Sequence, residues 1–175
     1  MQHTGFRVGA FAALLLGALV FTAPALADFK LPEPPTYKPI GDDALTGLSH
    51  YKSKWLREKI DAEKSWISAL ERRKKIPEVD PAPIDKEIGQ YTDAIKQDES
   101  DLKDLAGKDA FDATNPKAKA NAKLVKSNVE KWIETLNGEA QHGDTPEEKK
   151  AAADNHAKLV DALKDAEKAH PTLFN

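Results

Sequence analysis

Glu63, Asp98, Glu99 and His156 are the side chains of this 175-residue chain whose chemistry and spacing invite a functional reading. Three carboxylates and an imidazole on three helical stretches would suit zinc, iron or manganese, and helical bundles build such sites from facing helices. Folding the chain about turns near Val79, Phe111 and Gln141 brings residues near 60, 98, 124 and 157 level. Lys59 and Glu63, Asp98 and Glu99, Asn121 and Asn128, and His156 would then interrupt four apolar stripes at one height. Lys59 argues for a plainer outcome. A cation beside two carboxylates predicts an ion-pair network in which Lys59 joins Glu63 and Asp98, with His156 satisfied by a neighbour. No resident cofactor is expected, and a divalent transition metal at this layer is the alternative.

Other chemistry finds little support. The chain has no cysteine, and Met1 is its one methionine, which removes thiolate nucleophiles and the usual haem attachments. Glu167 and His170 fall at the last turn of a helix, and Glu139 and His142 in an expected loop, so the paired Glu-x-x-His pattern of a diiron bundle does not form. The acidic stretch from Asp93 to Asp112 lacks calcium-loop spacing. No glycine-rich phosphate loop and no serine-histidine motif appears. The sequence predicts a protein that is not an enzyme.

The elements that must position these residues follow from periodicity. Residues 1–27 read as a cleaved secretory signal: Arg7, an apolar core from Val8 to Phe21, and Ala25-Leu26-Ala27 before a cut after Ala27. A periplasmic location follows, and the apolar run is too short for a comfortable membrane span, so an integral membrane protein is not expected. Residues 28–41 hold Pro32, Pro34, Pro35 and Pro39, which predicts an extended strap. Residues 42–175 form one helical domain.

Four helices are expected there. The first, Asp43 to Lys75, carries Leu45, Leu48, Tyr51, Trp55, Leu56, Ile60, Trp66, Ile67 and Leu70 on one face and ends in Arg72-Arg73-Lys74-Lys75, favourable at a helix carboxyl end. The second runs from about Ile84 to Ala106, and the third from about Pro116 to Leu136, stopping at Asn137-Gly138. The fourth opens on a capping box, Thr145 with Glu148, and ends before Pro171. No alternating strand pattern appears. The expected class is all-α, an up-down-up-down four-helix bundle with a long first helix and a Pro-rich N-terminal strap.

The charge is balanced. Of 26 Lys and Arg only Arg7 lies in the signal, leaving 25 against 29 Asp and Glu. Interspersed charge of this kind argues against a nucleic-acid partner. The functional expectation is therefore an exported, non-catalytic helical bundle acting through an unknown protein partner, adaptor- or chaperone-like. Tyr37, Trp55, Trp66, Arg72 and Arg73 are the candidate surface, and a homodimer is a further possibility from the heptad spacing. A metal- or small-ligand carrier using the polar layer is the alternative.

Overall fold

Asp43 opens the first helix because its carboxylate accepts from the Thr46 amide at 2.9 Å, satisfying one of the orphan donors there. Helix α1 runs over Ala44–Arg73. The computed structural model describes residues 29–175, so the expected signal segment lies outside the described residues. Helix α2 spans Pro81–Leu105, α3 Ala118–His142, α4 Pro146–Ala169, and a short turn α5 Pro171–Phe174. The regular elements among the described residues are all helices, with no strand. None of these helices is long and apolar enough to cross a membrane.

Two boundaries differ from expectation for local reasons. Helix α2 starts at Pro81, three residues early, because Asp80 caps the Ala82 amide at 3.0 Å and prolines in a first turn have no amide to waste. Helix α3 continues through Gly138 to His142. A helix whose apolar face remains covered propagates past one glycine, whose penalty is only about 1 kcal/mol. The capping box of α4 forms as expected, with Thr145 and Glu148 bonding reciprocally.

Packing divides α1 into halves. Its first half supplies Leu45, Leu48, Tyr51 and Leu56 to a core shared with Val125, Val129, Trp132 and Leu136 of α3 and Leu159, Leu163 and Ala166 of α4. Its second half buries Ile60 and Leu70, and the buried apolar residues of α2 are Ile84, Ile95 and Leu105. Helix α2 packs along α1, and α3 pairs with α4. The level expected near residue 60 shifts accordingly: Tyr51 and Trp55 are the residues that meet Trp132. The second half of α1 thus leaves the shared core and continues with α2 as a two-helix arm.

Residues 29–41 carry neither helix nor strand. The Phe29 ring stacks on Trp66 and meets Tyr91 edge-on, the Pro32 carbonyl accepts from the Trp55 indole at 2.9 Å, and Tyr37 is buried against Tyr51. Gly47 allows this last approach. A Cβ there would stand 3.2 Å from the Tyr37 hydroxyl and 3.4 Å from the Ile40 carbonyl oxygen.

Candidate functional site

The polar layer between α1 and α2 is built one turn at a time. Lys59 and Glu63 are four apart on α1, so their side chains meet, and Asp98 of α2 faces them. Lys59 Nζ donates to Glu63 Oε1 at 3.0 Å and also to Asp98 Oδ2. Burial works against the Lys59 cation, but hydrogen bonds to Asp98 and Glu63 outweigh it and hold the ammonium above its usual pKa. Glu63 is 2 % exposed, and its Oε2 has no hydrogen-bond partner among the described residues. The ammonium bridges the two carboxylates.

The four candidate ligands do not gather. Glu99 points outward to Lys64, whose Nζ donates at 2.8 Å. His156 is half-buried on α4, while the neighbouring Asn155 takes the inward position. Among the described residues no three His, Asp or Glu side chains come together as a metal would require. The expected ion-pair network of Lys59 with Glu63 and Asp98 is present and joins α1 to α2, while the four-helix polar layer does not form around it.

Lys52 is the group that the sequence reading passed over. It is 3 % exposed, on the α1 face between Leu48 and Leu56, in a position that an apolar stripe reserves for a core residue. That slot was the available signal. Its Nζ donates to Asn128 Oδ1 of α3 at 2.8 Å and stands 4.9 Å from the Trp55 ring centroid and 5.9 Å from that of Trp132. Asn128 in turn donates to the Leu124 carbonyl. Burial pulls the ammonium down to about 8, against smaller upward pulls from Asp98 and Asp101. An amine near neutrality is a reactive group in principle. Here it is almost wholly buried, and its bond to Asn128 ties α1 to α3.

Around it runs an aromatic chain. Tyr37 meets Tyr51 at 5.5 Å between centroids, Tyr51 meets Trp132 at 5.0 Å, and Trp132 meets Trp55 at 5.4 Å, each edge to face. Burial pushes the Tyr51 hydroxyl up to about 12, with the nearby Asn155 pulling weakly the other way. Asn155 Oδ1 is spent on the Tyr37 amide at 2.8 Å, and the Tyr51 hydroxyl finds no partner in bonding geometry among the described residues.

The expected contact residues therefore separate into two groups. Trp55 and Trp66 are half-buried with both indole N–H groups satisfied within the chain, by Pro32 and by Glu87. Tyr37 is buried. Arg72 and Arg73 are exposed at the far end of the arm. No family model, curated protein or solved structure matches the chain.

Proposed function

We propose that this is an exported, non-catalytic helical protein, adaptor- or chaperone-like, that works through protein contacts made by the tip of its α1/α2 arm. In this reading the four long helices are arranged up-down-up-down, residues 29–41 form a strap along α1, and cleavage after Ala27 leaves the mature protein in a periplasm. The observation that carries it is the arm itself. Beyond the shared core α2 rests on α1, and Arg72, Arg73 and Lys75 stand in solvent with Ile76, which is 41 % exposed. None of the three cations has an ion-pair partner among the described residues. Arg72, Arg73 and Lys75, interspersed with exposed Glu71, Glu78 and Asp80 around an exposed isoleucine, fit a protein surface of mixed charge with an apolar centre. Tyr37, Trp55 and Trp66 are in this reading the internal dock of the strap, which leaves Arg72 and Arg73 as the outward contacts.

A photo-crosslinking residue in place of Ile76 tests this in cells that make the full chain. Discrete protein adducts are expected at position 76, lost on Arg72→Glu with Arg73→Glu and absent from a control at exposed Lys150. Adducts equal to the control, or binding to anionic lipid vesicles with no protein adduct, would overturn it.

A further inference from the structure

We propose a second site, independent of the protein-contact reading: the pocket between the first half of α1 and the connection from α2 to α3 binds the phosphoryl group of a small soluble organic phosphate. The pocket has a volume of about 370 Å³ and is lined by Thr46, Ser49, His50, Ser53 and Arg57 on one side and by residues 105–108 and Phe111 on the other. That volume is within the range of small-molecule sites. Thr46, Ser49, Ser53 and Arg57 recur at spacings of three and four, which places them along one face of α1.

Charge sets the class of ligand. Arg57 and Lys108 have no ion-pair partner among the described residues, and no lining side chain is a carboxylate. Of the acids near the lining in sequence, Asp104 is held by Lys117 and Asp101 by Gln97, and Asp109, which follows Lys108, is not part of the lining. The carboxyl end of α2 also borders the pocket, but a helix end carries only about half an elementary charge. Two whole cations outweigh it.

The hydroxyls supply the second, independent observation. Ser49 and Ser53 are 4 % and 6 % exposed, one turn apart, and neither hydroxyl has a hydrogen-bond partner among the described residues. Of the other helical hydroxyls, Ser68, Thr92 and Thr135 each donate to the carbonyl four residues back, at 3.0, 2.8 and 3.0 Å, while Ser65, Ser100 and Ser127 are exposed, so burial in the pocket lining is what sets Ser49 and Ser53 apart. Thr46 is already spent on Asp43. Two unspent hydroxyls in a lining that also holds an arginine and a lysine match the terminal oxygens of a phosphoryl group better than the two oxygens of a carboxylate. Leu105 and Phe111 provide an apolar wall for the organic remainder.

Phenyl phosphate, inorganic phosphate and benzoate are the probes, titrated by calorimetry into the full mature protein. Phenyl phosphate should bind one to one with a Kd on the order of a millimolar or below. Inorganic phosphate should bind more weakly and compete with it. Arg57→Gln and Lys108→Gln should each weaken phenyl phosphate about tenfold, and Ser49→Ala with Ser53→Ala about threefold or more. Lys119→Gln, away from the pocket, should change nothing. Benzoate binding as tightly as phenyl phosphate overturns the ligand class. Absence of saturation by phenyl phosphate, or affinity unchanged in the Arg57→Gln, Lys108→Gln double variant, overturns the site.

Discussion

Lys52 Nζ donates to Asn128 Oδ1 at 2.8 Å, a bond between α1 and α3 that passes through an otherwise apolar interface beside Trp55 and Trp132. It holds a cation where burial works against the charged form. The ammonium is pulled down to about 8 by burial, against 10.5 in an unfolded chain. Below pH 8 the lysine is protonated in both states, and the full penalty of burying the charge is present. Between pH 8 and 10.5 the unfolded chain holds more protons, so stability rises with pH, by up to about 3 kcal/mol at about 1.4 kcal/mol per pH unit.

Replacing Lys52 with methionine should therefore stabilise the fold at pH 7 by about 1–3 kcal/mol, since an apolar residue of similar volume removes the desolvation cost. Urea midpoints taken at pH 7, 8.5 and 9.5 test this. The advantage of Lys52→Met should shrink as pH rises. Parallel pH curves for the two proteins would mean that Lys52 is hydrated in solution and that the burial account is wrong.

The Lys59 bridge predicts the opposite sign. Glu63 is 2 % exposed and Lys59 is its charge partner, so Lys59→Met strands a buried carboxylate and should cost about 3–5 kcal/mol. Adding Glu63→Leu in the same chain should recover most of that loss. A double variant as unstable as Lys59→Met alone would show that packing, and not charge, sets the cost.

His170 Nε2 lies 2.7 Å from Asp43 Oδ1, tying the end of α4 to the start of α1. Burial raises the Asp43 pKa, but hydrogen bonds from Thr46 and His170 outweigh it and leave the carboxyl below its usual value. A depressed carboxyl contributes stability that is complete above its unfolded pKa of about 3.8 and is lost as pH falls through the lower folded value. Asp43→Ala should cost about 1 kcal/mol at pH 7 through the lost helix cap alone. That difference should shrink in acid melts as pH falls below about 3.8. A difference that persists there would place the effect elsewhere.

Because α2 packs along α1 while α3 pairs with α4, α2 should open separately from the rest. Hydrogen exchange followed by mass spectrometry should show amides of Ile84–Leu102 exchanging well before those of Val125–Leu136 and Leu159–Ala166. Simultaneous exchange of all three would make α2 part of one cooperative unit. In the same frame, Leu159→Ala should cost about 2–5 kcal/mol, as a fully buried leucine does, and Ile88→Ala much less.

Much of this was legible locally. The capping box of Thr145 and Glu148, the basic end of α1, the stop at Pro171 and the pairing of Lys59 with Glu63 all depend on residues within a turn of each other. Near neighbours on a helix meet whatever the rest of the chain does. Boundaries were less legible where a local signal was outvoted: Gly138 sits inside α3 because the covered face continues to Ala140, and the prolines at 81 and 83 begin a helix because Asp80 caps it.

What the tertiary structure alone decided is which stretches of which helices come level. Sequence periodicity states that α1 has an apolar face; it does not state that the face is shared out, α3 and α4 taking the half up to Leu56 and α2 the half beyond. That division follows from the total area the whole chain can bury, a sum over distant residues that no window contains. It is why Asn155 and not His156 turns inward, why Glu63 meets Lys59 and Asp98 but no imidazole, and why a lysine at position 52 could end among tryptophans.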